Sequence, residues 1–179
     1  SGGRSAIDFH EALARIGAQL DSDIGPDAAV VTITALSRFS GDVVRLLADM
    51  TARPSLTEGD FERVRQLRLY RMTQLRDMPG AVADRAFVKL LYGSHPYGHT
   101  PLGSEHTLAA ITVEDVRAFH RSALRPSDAT LIVAGDCRHA DVERIAAAAF
   151  DGWDGAPTPR AAPAATLPSP PRVSVVPRP

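Results

Sequence analysis

Residues 91–136 read LYGSHPYGHTPLGSEHTLAAITVEDVRAFHRSALRPSDATLIVAGD, and this stretch decides the fold. Tyr92-Gly93 closes one helix. Pro96, Gly98, Pro101 and Gly103 then keep the chain out of regular structure, because proline lacks an amide donor and glycine favours turns. Thr112-x-x-Asp115 has the form of a reciprocal N-terminal cap, with Val113, Val116 and Phe119 spaced for one face of the helix it opens. Pro126 pushes Arg125 out of helical conformation, so that helix ends near Leu124. Ala129 to Ala134 is a short apolar run with Thr130, Ile132 and Val133, expected as a buried strand that Gly135-Asp136 turns away.

Working upstream, Pro79 suits the first turn of a helix whose expected buried stripe is Val82, Ala86, Phe87 and Leu90. Thr57-x-x-Asp60 opens the longest helix, reaching about Met78, with Phe61, Val64, Leu67 or Arg68, and Leu75 inward. Ser40 starts an earlier helix through Val43, Val44, Leu47 and Met50. Before it, Leu20, Ser22 and Ile24 alternate, Gly25-Pro26-Asp27 turns, and Val31, Ile33 and Ala35 alternate again, which predicts a hairpin. Ser5-x-x-Asp8 caps a first helix to about Ile16, with Phe9, Leu13 and Ile16 on one face and Gly17 as terminator.

Downstream, Ala140 to Phe150 forms the last helix and Trp153 covers its end. From Gly155 the composition turns to proline and alanine, which favours extended backbone over packed core. The expected organisation is an α/β unit over 1–154, a Pro/Ala-rich interdomain linker over 155–171, and the first strand of a following unit within 172–179.

The totals exclude several function classes. The chain has 179 residues, 44% hydrophobic and 23% charged, an ordinary globular composition able to build one core. Twenty basic against 21 acidic residues leave no global field for nucleic acid or an acidic membrane. Cys137 is the single cysteine, which excludes an intrachain disulfide and a cysteine-built zinc cluster. No apolar run approaches the ~20 residues that span a bilayer.

The order of elements, with His95-Pro96-Tyr97-Gly98, Gly103, Ile111-Thr112, Asp115-Val116, Phe119-His120, Pro126, Ala129-Thr130-Leu131, Gly135-Asp136 and Phe150-Asp151-Gly152-Trp153, resembles the insulinase/pitrilysin metallopeptidase family, which includes the mitochondrial processing peptidase. Pro54, Phe61-Glu62-Arg63 and Pro79 also fall where that family has them. The resemblance covers roughly Ser5 to Trp153. It implies an α+β fold, a two-layer arrangement of an antiparallel-rich sheet packed against helices, in a unit incomplete at its N-terminus. Such units, two per half, form halves that close around an unfolded peptide.

The family's chemistry uses H-x-x-E-H on a helix, two histidines binding zinc and the glutamate activating its water, with a third glutamate ligand from the long helix. This chain has neither. Leu102-Gly103-Ser104-Glu105-His106 keeps the trailing Glu-His but has leucine first, and it follows the His-Pro-Tyr-Gly loop instead of preceding it. From Arg63 to Arg76 the long helix contains no acidic residue, and Arg71, or Tyr70 one register away, stands at the third-ligand position. A guanidinium offers donors only and repels a cation.

No catalytic or metal-ligating residue is therefore assigned, and no substrate-binding residue is named. The family motif residues His95, Pro96, Tyr97, Gly98, Gly103, Pro126, Gly135 and Asp136 are read as structural. His95 and His99 are four apart, but Pro96 and Gly98 between them prevent the alignment a helical turn would give, so they read as loop-positioning residues. His120 reads as a partly buried, hydrogen-bonded histidine, and Asp136 as organising the turn after the strand. His10-Glu11 lacks the second histidine of an H-E-x-x-H site. The arginines at 63, 65, 68, 71 and 76 read as a solvated or partner-facing surface and not as a nucleic-acid helix, since Glu58, Asp60 and Asp77 nearby offset their charge.

The expected function is that of a non-catalytic unit, or partner subunit, of a zinc-dependent metalloendopeptidase, helping to enclose peptide. The alternatives are an inactive scaffold homologue and an unrelated α+β binding module. Zinc is expected in the catalytic half or partner and not in this chain. The expected partners are that half or subunit and an unfolded peptide, with no nucleic acid and no membrane span. The expected setting is bacterial, the periplasm ahead of the cytoplasm.

Overall fold

The computed structural model describes residues 4–155 together with Val173 and Val175. In chain order its elements are α1 (Ala6–Arg15), β1 (Gln19–Ile24), β2 (Ala29–Thr34), α2 (Ser40–Thr51), α3 (Glu58–Arg76), α4 (Pro79–Tyr92), α5 (Glu105–Ala110), α6 (Val113–Ala123) and α7 (His139–Ala149). Short 3-10 turns occupy Ser37–Phe39 and Pro126–Asp128. The expected linker and following strand lie outside the described residues, apart from Val173 and Val175, which are exposed and in no element. The described chain divides into two compact units, one of residues 4–57 and 112–155, the other of residues 58–111.

In the first unit, α1 starts where the reciprocal cap predicts. Ser5 Oγ accepts from the Asp8 amide, and the Asp8 carboxylate accepts from the Ser5 amide at 3.0 Å. β1 and β2 form an antiparallel hairpin in register Gln19 to Thr34 through Ile24 to Ala29, closed by the Gly25 amide donating to the Ala28 carbonyl. The core lies between α2 and α7, where Val44, Ala48 and Ala149 are buried and Ile145, Ala146 and Phe150 pack against them. Leu46 is also buried, so the inner face of α2 is wider than the stripe through Val43, Val44, Leu47 and Met50 expected from sequence. Trp153 stacks on Phe150 with ring centroids 5.5 Å apart, covering the end of α7 as expected.

Two expectations for this unit fail. Phe119 is 66% exposed, because α6 turns Val113, Val116, Arg117 and His120 inward instead. Ala129–Ala134 is not a buried strand: it joins no ladder, Ile132 is 85% exposed, and the sheet among the described residues is the two-stranded hairpin. Apolar, β-branched composition gives the run its preference, but a strand exists only where a neighbour takes its amides and carbonyls.

The second unit is helical, with α3 packing against α4 and α5. Met72 is its buried apolar residue, and Phe61, Arg65, Leu69 and Leu75 are half-buried beside it. Val64 and Leu67, expected inward, are exposed, as are Phe87 and Leu90 of α4. The inner face of α3 thus runs 61, 65, 69, 72, rotated from the expected 61, 64, 67, because an arginine stem at position 65 covers apolar surface as well as a valine would. α5 is an additional helix, opened by a reciprocal cap between Ser104 and Thr107.

Candidate functional site

The signature residues fall in two places, one in each unit. In the second unit, α4 ends at Tyr92 and Gly93 takes φ 58°, which turns the chain into the loop. The Gly98 amide donates to the His95 carbonyl at 2.7 Å, and Gly98 is buried. A Cβ at Gly98 would sit well inside contact with the Gly93 carbonyl oxygen, so this position admits glycine alone without backbone movement. The Tyr97 amide donates to His95 Nδ1 at 3.2 Å, which assigns the ring proton of neutral His95 to Nε2. The His95 and Tyr97 rings meet edge to face with centroids 4.9 Å apart, and Tyr92 meets Tyr97 at 5.7 Å. Pro96 lies between them, exposed. The loop is therefore a backbone turn closed at Gly98 beside a small cluster of the Tyr92, His95 and Tyr97 rings. Gly103, at φ 75°, ends it one residue before the α5 cap.

In the first unit, Pro126 opens the 3-10 turn after α6, and the half-turn places Arg125, which is buried, against Asp128 at 3.3 Å. Gly135 has φ 145°, and its carbonyl accepts from the Cys137 amide at 3.0 Å. The Asp136 side chain makes no hydrogen bond, so the turn is closed by backbone, not by the aspartate as the sequence suggested. Cys137 is exposed. His120 Nε2 lies 2.8 Å from the Thr51 carbonyl at the end of α2, a half-buried and hydrogen-bonded histidine as read from the sequence.

Charged side chains of the long helix α3 pair with one another. Asp60 pairs with Arg63 at 3.2 Å, Glu62 with Arg65 at 2.6 Å, and Arg76 with Glu105. Hydrogen bonds from Gln66 and Arg65 hold the Glu62 carboxyl below its usual range. Arg71 and Tyr70 are both exposed, and Arg71 reaches only Gln74, at 3.5 Å. Among the described residues no group of three histidine, cysteine, aspartate or glutamate side chains converges to hold a metal ion. His95 and His99 are not joined by a carboxylate, and Glu105 is engaged by Arg76. The residues present do not fit a zinc ion. No helix among the described residues is long and apolar enough to cross a membrane.

Comparison with known proteins bears on the same point. A family model described as the Peptidase M16 inactive domain matches residues 110–179. The chain is 25% identical over 162 residues to an uncharacterised zinc protease of Streptomyces coelicolor, covering 90% of this chain and 35% of that protein. It thus spans about a third of the length of the curated relatives it matches. Among solved structures it is similar to a peptidase M16 inactive domain from Pseudomonas fluorescens, with TM-score 0.77 and 23% identity over 89% of this chain and 40% of the other. A protease from Helicobacter pylori gives TM-score 0.78 and 20% identity, over 88% and 38%. These likenesses show the fold.

Proposed function

We propose that this chain, which resembles a unit of the insulinase/pitrilysin type and lacks the zinc motif, serves as a non-catalytic part of a zinc-dependent metalloendopeptidase, helping to form the chamber that encloses an unfolded peptide. Zinc and its activated water belong, in this reading, to the catalytic half or to a partner subunit. The observation that carries it is α3: where the resemblance puts the third zinc ligand, the helix presents exposed Arg71 and Tyr70, within a run from Arg63 to Arg76 that has no carboxylate. An unfolded peptide offers few specific contacts, so enclosure and strand addition select it where side-chain recognition would not.

The test compares the purified chain with the same chain co-expressed with a half that contains H-x-x-E-H. Bound zinc is measured by atomic emission, and hydrolysis of a quenched fluorescent peptide is followed with and without phenanthroline. The chain alone is expected to hold no stoichiometric zinc and to cleave nothing. Cleavage by the joined halves that is faster than that of the catalytic half alone supports the reading. Chelator-sensitive hydrolysis by the chain alone overturns it. If the joined halves cleave no faster than the catalytic half alone, the chain is a scaffold homologue instead.

A further inference from the structure

The chain leaves its first unit at Thr57 and returns to it at Thr112. One residue before the exit, Leu56 has φ 40°, the single positive φ at a non-glycine residue among those described. Left-handed backbone crowds a leucine Cβ against the following carbonyl, and it persists only where the surroundings hold it. Here the holder is one guanidinium. Arg117, on α6, donates to the Leu56 carbonyl from Nη2 at 2.8 Å and from Nε at 3.2 Å, two edges of one planar fork on one oxygen. Its Nη1 is bound by Glu114 on the same helix, which fixes the plane of the fork. The return is held more loosely, with Arg65 Nη1 3.5 Å from the Ile111 carbonyl.

We propose that Arg117 is a latch: a positioning residue that holds the segment 54–57, where the first unit ends, in a strained conformation. When the fork is withdrawn, Leu56 relaxes to negative φ and the exit segment loosens. Pro54, whose ring fixes its own φ, precedes the segment, and Leu56 is the residue in it with positive φ. This inference stands apart from the proteolytic reading above.

The experiment combines backbone NMR with urea unfolding of the full chain. The Cα and Cβ carbon shifts of Leu56 distinguish left-handed from extended backbone. In Arg117→Ala they are expected to move to extended values while those of Val44 and Ala48 stay fixed. Leu56→Gly removes the steric penalty, so with Arg117 in place it is expected to lower the unfolding constant about threefold. In the Arg117→Ala background, where the leucine has already relaxed, only the greater freedom of unfolded glycine remains, and the same change raises that constant about threefold. Should Arg117→Ala fail to fold, Arg117→Lys keeps the charge, loses the fork, and is read by the same shifts. Left-handed shifts retained in the arginine variants, or one effect of Leu56→Gly in both backgrounds, overturn the proposal.

Discussion

The two units close themselves by different means. In residues 4–57 and 112–155, α2 and α7 come from opposite ends of the described chain and share a buried cluster, reinforced by Arg53 donating to the Ala149 carbonyl across 96 residues of sequence. Residues 58–111 form a local succession of helices in which Met72 is buried while Val64, Leu67, Tyr70, Phe87 and Leu90 face outward. Besides Met72, this unit has the reciprocal cap at Ser104 and ion pairs such as Arg76 with Glu105, and an exposed ion pair contributes about 0–1 kcal/mol. The difference teaches that long-range burial, not helix content, decides which part of this protein resists unfolding. The chain supplies its own reporters: the single tryptophan, Trp153, lies in the first unit, and all three tyrosines, Tyr70, Tyr92 and Tyr97, lie in the second.

The largest effect should come from the core between α2 and its neighbours. Leu46→Ala is expected to destabilise the first unit by about 3 kcal/mol in urea unfolding followed by tryptophan fluorescence, whereas Phe87→Ala should change the tyrosine-detected transition by less than about 0.5 kcal/mol. Equal losses would break the comparison. Next comes Gly98→Ala, which forces a methyl group into the Gly93 carbonyl; about 2 kcal/mol is expected, confined to the tyrosine signal. A response in Trp153 as large as in the tyrosines would show that the two units do not yield separately.

The smallest effect is acidic fraying. Hydrogen bonds from Ser5 hold the Asp8 carboxyl below its usual range, and those from Thr112 do the same for Asp115. A carboxylate with a lowered folded pKa stabilises fully above the ordinary aspartate value of about 3.9, and that stabilisation is lost as pH falls through the folded value. Both titrating caps belong to the first unit. The α5 cap, built from Ser104 and Thr107, has no proton to gain. Amide shifts of Asp8 and Asp115 should therefore move on acidification below about pH 4, while that of Thr107 stays still. Parallel movement of all three would mean global unfolding instead.

The caps were legible in the sequence because they are local: Ser5 with Asp8 and Thr112 with Asp115 need only a three-residue spacing. The Ser104 cap follows the same three-residue spacing with threonine as the returning partner, in place of the carboxylate or amide that usually marks such a cap. Which face goes inward was less legible. On α3 the arginine-rich pattern allows an inner face through Arg65, and on α6 His120 finds the Thr51 carbonyl, so polar residues occupy positions that periodicity assigns to apolar ones. The signature loop could be located by Pro96, Gly98 and Gly103, but its ring cluster and the His95 Nδ1 bond depend on loop geometry that spacing does not encode.

The run from Ala129 to Ala134 has one more consequence. It carries no charge and no proline, prefers extended backbone, and stands uncovered with Ile132 almost wholly in water. Those are the attributes of a seed for intermolecular cross-β stacking. Asp128 and Asp136 bracket it as gatekeepers, placing like charges wherever two such runs align in parallel and in register. Neutralising either aspartate would be felt first as turbidity in concentrated solution, well before any loss of folded helix.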